Sequence, residues 1–168
     1  TAPRGGVAGL ALRAVEAAAG YQSSLPPEPV EPARGEGIRR AVEELAAVVA
    51  DPATAPGYLR RTHPEPRGRD EAMWLAARGL VAWFADEPEL CVDHLERARL
   101  AARESHGLLA LCLAPLASAL IDTGRWDRAR EVLAEAARLA AVHGLTRLDG
   151  DAAALGATLD ALCGRAVP

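Results

Sequence analysis

Two runs of apolar residues, each recurring at steps of three and four, meet at Asp122-Thr123-Gly124. That meeting constrains the chain more than any other feature. Leu113, Leu116, Ala117 and Leu120 share one side of the first run. Trp126, Ala129, Leu133, Ala136, Ala137 and Ala140 share one side of the second. A period near 3.6 is helical, and the break between the runs is too short for anything but a reversal. Residues 113–145 are therefore predicted to form a helical hairpin, closed at Gly144, with a seam of small side chains.

Composition supports helices throughout. The chain has 168 residues, half of them hydrophobic, with aromatics only 4%. Length and apolar content suffice for one domain with a core. Alanine makes up about a fifth of the chain, which favours helices packed closely through small side chains. All 19 basic residues are arginine. Without lysine there is no GxxxxGK[ST] phosphate loop and no Schiff-base lysine. A net charge of −4 with both signs interspersed argues against direct contact with nucleic acid. Cys91, Cys112 and Cys163 form no CxxC pair and read as small core residues of a cytoplasmic protein. The longest apolar run, 107–121, is too short to span a bilayer and contains Pro115, so no membrane association is expected.

Along the chain, residues 7–20 predict a first helix stopped by Gly20. Pro26, Pro27, Pro29 and Pro32 make 21–37 a linker. Residues 38–50 predict a second helix, with Arg39–Glu43 and Arg40–Glu44 as i,i+4 pairs on its exposed side. A loop follows over 53–69, with one turn around residues 58–61. From Asp70, a plausible N-cap, the helices become continuous: to Ala85, from Pro88 to near Gly107, then to about Asp122, 125–143, and about Asp151 to Cys163. Pro115 should kink the helix that contains it. The chain thus divides into N-terminal helices with Pro-rich loops, 1–69, and a continuous array of helical repeats, 70–168.

The array carries an internal repeat. Residues 96–102 (ERARLAA) match 135–141 (EAARLAA), and His106-Gly107-Leu108 matches His143-Gly144-Leu145. The offsets, 39 and 37, give a unit just under 40 residues, a period of helical solenoids. The pair centred on Gly124 resembles a tetratricopeptide repeat, through Leu113, Leu116, Ala117 and Leu120 on its first helix and Gly124, Trp126, Ala129, Leu133 and Ala136 on the turn and second helix. Leu75, Gly79, Ala82, Cys91, Leu95 and Ala98 match in the preceding pair, while Arg78 stands at a usually apolar place. The style of GRWDRAREVLAEAARLAAVHGL is similar to the helical-repeat region of large LuxR-type, MalT-like actinobacterial transcriptional regulators. That resemblance implies an NTPase module upstream and a helix-turn-helix downstream, both outside this chain, which would then be an internal segment of a longer protein.

Candidate chemistry is sparse. His63, His94, His106 and His143 show no metal-ligand spacing, and His106 and His143 read as last-turn residues favouring the helix dipole. Glu43-Glu44, Asp86-Glu87 and Asp149/Asp151 read as exposed residues or helix starts, and no serine sits in a GxSxG setting. No catalytic residue, metal or cofactor is expected. Met73, Trp74, Arg78, Trp83 and Phe84 hold most of the large side chains and have two readings. Either they fill the core where the first repeat meets the N-terminal helices, or Trp74 and Arg78 line a concave groove, with Ser118 and Asp122 beside them on the next first helix.

The expected fold is all-α, about seven helices, with antiparallel hairpins stacked in a right-handed solenoid. The expected function is a non-catalytic, signal-sensing interaction domain of a transcriptional regulator. It would relay binding of a protein, a peptide or a small-molecule effector to a DNA-binding domain outside this chain. A free-standing adaptor binding a peptide or helix is the alternative, and a small-molecule-binding domain a further one. An unpaired last helix would present an apolar face, and with it homo-oligomerisation through the C-terminal end.

Overall fold

The computed structural model describes residues 37–61, 64–102 and 105–165. They form seven α-helices: α1 (Gly37–Ala50), α2 (Ala55–Leu59), α3 (Glu71–Phe84), α4 (Pro88–Ala101), α5 (His106–Asp122), α6 (Trp126–His143) and α7 (Thr146–Leu162). Short 3-10 turns occupy Pro52–Thr54 and Gly68–Asp70, and there is no strand among the described residues. The helix expected over 7–20 and the Pro-rich linker, apart from Gly37, lie outside the described residues, as does His63.

Each helix from α3 onward packs against the next, and α3, α5 and α7 also pack in a row. What sets this arrangement is one turn that closes α3, α5 and α7 alike; the same bond, from the Leu145 N–H to the Ala140 carbonyl at 3.0 Å around left-handed Gly144, also closes α6. At residues 85–87 the Glu87 N–H donates to the Ala82 carbonyl at 3.0 Å. At 123–125 Arg125 donates to Leu120 at 2.8 Å, and at 163–165 Arg165 donates to Asp160 at 2.9 Å. The middle residue of each turn is left-handed: Asp86 at φ 57°, Gly124 at 73° and Gly164 at 69°. This is the Schellman closure, which ties off the last carbonyls of a helix and reverses the chain. The spacings, 38 from Asp86 to Gly124 and 40 from Gly124 to Gly164, give the true repeat length.

That register corrects the sequence alignment. Counted by 38, Leu75, Gly79, Ala82, Cys91, Leu95 and Ala98 fall on Leu113, Ala117, Leu120, Ala129, Leu133 and Ala136, and all twelve are buried. The match of 96–102 to 135–141 is out by one residue, since it sets buried Ala98 against exposed Ala137. The match of His106 to His143 fails structurally too, because His106 opens α5 while His143 ends α6. α4 stops at Ala101 instead of near Gly107, and α7 begins at Thr146 instead of Asp151, absorbing Gly150. Asp70 precedes α3, but it closes a 3-10 turn with helical backbone and its side chain makes no cap bond. α5 is assigned as one helix through Pro115.

The two parts of the chain share a core. One buried cluster runs from Ala41 in α1 to Leu159 in α7. The outward face of α7 differs from expectation. Counted by 40, Leu109, Leu116 and Leu120 of α5, all buried, correspond to Asp149, Gly156 and Asp160. Acidic and small residues thus replace the leucines, as at the polar end of a repeat array. Leu162 is the large apolar residue α7 leaves exposed.

Close helix approach makes two glycines behave oppositely. A Cβ on Gly79 would lie 2.5 Å from Leu95 Cδ2 and 3.2 Å from His94 Cβ, and Leu95 is fully buried with nowhere to move. A Cβ on Gly156, within α7, meets nothing within 4 Å. Gly79→Ala is therefore expected to destabilise the chain by about 1–3 kcal/mol. Gly156→Ala should stabilise it by about 0.5–1 kcal/mol through helix propensity. Urea denaturation of the two variants checks both signs.

Candidate functional site

Glu44 is the least expected side chain in the structure. Its i,i+4 spacing to Arg40 reads as a surface pair, yet it is 0% exposed. α1 lies on α3, and Glu44 faces inward between them and the segment after α2. Arg78 Nη1 donates to Glu44 Oε2 at 3.4 Å, and Arg40 Nε to Oε1 at 3.3 Å. Arg61 Nη1 stands 3.8 Å away, its guanidinium 4.6 Å over the Tyr58 ring. The Arg39–Glu43 pair, at 3.0 Å, does lie at the surface.

Arg78 has further work. It donates to the carbonyls of Tyr58 at 3.1 Å, Leu59 at 3.2 Å and Arg61 at 3.5 Å. These carbonyls lie at and just beyond the end of α2, where a helix runs out of its own donors; the Tyr58 carbonyl also accepts from the Arg61 N–H at 3.1 Å. In the 38-residue register Arg78 takes the place of Leu116, which packs in an apolar setting. An arginine stands there because α2 ends above it. Burial pulls its pKa down, and Glu44 opposes the shift.

Trp74, one turn earlier, is also buried, and its ring lies 6.0 Å from that of His94, tilted by 37°. Its indole Nε1 has no hydrogen-bond partner among the described residues. His94 Nδ1 lies 3.0 Å from the Leu90 carbonyl and so carries the proton when the ring is neutral. Of the four residues singled out for a groove, Trp74 and Arg78 are thus buried, Arg78 against α1 and the end of α2 and Trp74 beside His94 of α4. Ser118 is half-buried and Asp122 is exposed at the end of α5. The structure does not bring the four together on one open surface.

Two large aromatics do reach solvent. Trp83 is 41% and Trp126 39% exposed, although periodicity had put Trp126 on the inner seam and Trp83 in the aromatic core cluster. They flank the turns at 85–87 and 123–125, and an ion pair from Arg125 to Glu89 sets the second of these turns beside the start of α4, which leaves the first. The signal for this was present in the sequence: each tryptophan sits within three residues of a helix-reversing turn, where the inner face runs out.

Elsewhere the polar groups serve the scaffold. Glu96 accepts from Arg128 at 2.7 and 3.1 Å and from Arg99 at 3.0 Å, and Arg99 reaches on to Glu135 at 2.9 Å. Burial works to raise the Glu96 pKa, but the two guanidinium groups outweigh it and hold the carboxyl low. Burial pushes the Cys91 and Cys112 thiols up to about 12, which suits packing and not nucleophilic chemistry. Arg130 Nη2 lies 3.0 Å from Cys163 Sγ. The exposed rings of His106 and His143 stack with centroids 4.3 Å apart. Among the described residues, no group of three or more His, Cys, Asp and Glu is placed to hold a metal ion.

Comparison with protein-family models, with curated proteins and with solved structures finds no match to this chain.

Two tests follow from this buried cluster. Arg78→Leu removes one donor from Glu44, which keeps Arg40 and Arg61, and one from each of the Tyr58, Leu59 and Arg61 carbonyls, and should cost about 1–3 kcal/mol. Adding Glu44→Leu should cost less than the sum of the two single changes, whereas strict additivity in denaturant titrations would show the pair uncoupled. The second test concerns His94. Burial lowers its pKa, the Leu90 carbonyl and Asp93 oppose this, and Arg78 and Arg97 reinforce it. The unfolded chain therefore takes up the proton first as pH falls. Stability from this group is present above about pH 6.5 and is lost as the pH drops toward the lower folded value. His94→Gln should flatten the stability profile as the pH falls below about 6.5 and before the carboxylates titrate.

Proposed function

We propose that the chain is a non-catalytic helical-repeat interaction domain of a LuxR-type transcriptional regulator, working in the cytoplasm. The observation that carries the repeat reading is the Schellman turn recurring at 86, 124 and 164, with six core positions repeated at a 38-residue offset. Hairpins repeated in this way stack into an array whose edges and grooves are interaction surfaces. The link to transcription rests on the likeness of residues 124–145 to the repeat regions of those regulators. In that setting the domain receives a partner or effector and relays the event to a DNA-binding domain elsewhere in the protein.

Chemistry within this chain is assigned to scaffolding. The buried ionisable groups, Glu44 and Arg78, tie α1 and α2 to α3, and the most buried thiols are held protonated. No helix among the described residues is long and apolar enough to cross a membrane.

The coding DNA on either side of the segment tests the proposal. A GxxxxGK[ST] loop upstream and a basic helix-turn-helix downstream are expected. A start codon directly before Thr1 together with a stop codon directly after Pro168 would sink the regulator reading and leave a free-standing adaptor.

A further inference from the structure

Resting on the reading of the chain as an interaction domain, we infer that the edge formed by the first two Schellman turns docks a basic, apolar-flanked peptide segment of a partner protein. Three observations converge there. Trp83, Trp126 and Leu90 are exposed at 41%, 39% and 37%. Tryptophan so placed is the side chain most often found at the energetic centre of an interface. The Arg125–Glu89 ion pair sets the turn at 123–125 beside the start of α4, which leaves the turn at 85–87, so the two turns that these residues flank are neighbours.

Charge selects the partner. The arginines along this edge are engaged: Arg125 with Glu89, Arg128 with Glu96 and Glu131, and Arg130 with Asp127. Asp86, Glu87 and Asp122 are exposed and form no ion pair among the described residues. Partly exposed indoles flanking turns that carry unpaired carboxylates suit arginine or lysine, which can meet the ring and pair with the acid. They repel an acidic segment.

The backbone adds an independent argument. The left-handed centre of the turn is glycine at 124 and 164 but aspartate at 86, where φ is 57°. A side chain there is strained, and glycine would relieve it. This carboxylate makes no ion pair among the described residues that would offset the strain. Strain kept where the scaffold does not need it points to function. Asp86→Gly therefore separates the two roles, since it should raise stability while weakening binding.

The test pans a library of random dodecapeptides displayed on phage against the whole 168-residue chain. Enriched peptides are expected to carry net positive charge beside an aromatic or aliphatic residue, with affinity that falls as salt rises. Asp86→Gly and Trp126→Ser should each weaken them tenfold or more, although Asp86→Gly raises the urea midpoint and Trp126→Ser keeps the helical circular dichroism. Val142→Ser, at an exposed site on the far end of α6, should leave binding unchanged. Enriched peptides without positive charge, or insensitive to both edge substitutions, overturn the edge and leave the interaction domain standing. A chain that sediments as a dimer dissociated by Trp126→Ser assigns the edge to a second copy and overturns the proposal. Failure to enrich any peptide counts against both the edge and the interaction domain.

Discussion

The attachment of the N-terminal helices to the repeats depends on one guanidinium. Arg78 meets a fully buried carboxylate from α1, the last two carbonyls of α2 and the Arg61 carbonyl just beyond it, and it does so from the middle of α3. Each of those acceptors would be costly to bury alone. A leucine at 78, as at 116, would suit a repeat that met only another repeat. The exchange marks the place where the regular array stops and a different structure begins. Buried pairs of this kind contribute modest net stability, because desolvation offsets much of the attraction. Their effect lies in specificity: α1 and α2 have one arrangement in which Glu44 and the carbonyls are all satisfied, and sliding either helix by a turn leaves a charge or a carbonyl bare.

Within the array, small residues set the distances. Gly79 lets Leu95 sit where a Cβ would otherwise be, so α3 and α4 approach more closely than larger side chains permit. Ala82, Ala98, Ala117, Ala129 and Ala136 extend the same principle across the next hairpin, each fully buried. A core made this way has little apolar area per residue and leans on short, well-closed turns. The Schellman turns supply them, each satisfying carbonyls that would otherwise end in solvent or in the core.

Much of this architecture was legible in the sequence, for identifiable reasons. Helix existence followed from apolar spacing, and the packing register followed from Leu113, Ala117, Leu120 and their counterparts, because buried positions in stacked hairpins must recur. Letter-by-letter identity misled. In a chain this rich in alanine and arginine, residues 96–102 and 135–141 agree in letters while lying one position out of phase. Helix ends were misjudged where neighbours decide them: Gly150 and two aspartates resemble a loop, yet packing on α5 and α6 carries α7 back to Thr146. Glu44 was hidden for a deeper reason. An Arg at i−4 is the mark of a solvated pair, and only long-range packing places this one indoors beside Arg78. The candidate groove failed to assemble for the same reason, since nothing local announces that α2 ends over Arg78.

An arginine-only chain also distributes charge in a distinctive way. α4 and α6 are bridged by Glu89–Arg125, Glu96–Arg128 and Arg99–Glu135, and a further pair ties Glu65 of the preceding loop to Arg97. Each guanidinium offers several donors, so Arg99 and Arg128 each hold two carboxylates at once. Lysine offers no comparable planar fork. The consequence is that cations are drawn into the bridges between second helices, while the acidic surplus is left where no bridge reaches. On the first two turns that surplus falls at Asp86, Glu87 and Asp122, beside the exposed tryptophans. The same side-chain geometry that braces the scaffold therefore leaves one edge both apolar and negative, and the character of that edge follows from how the array is held together.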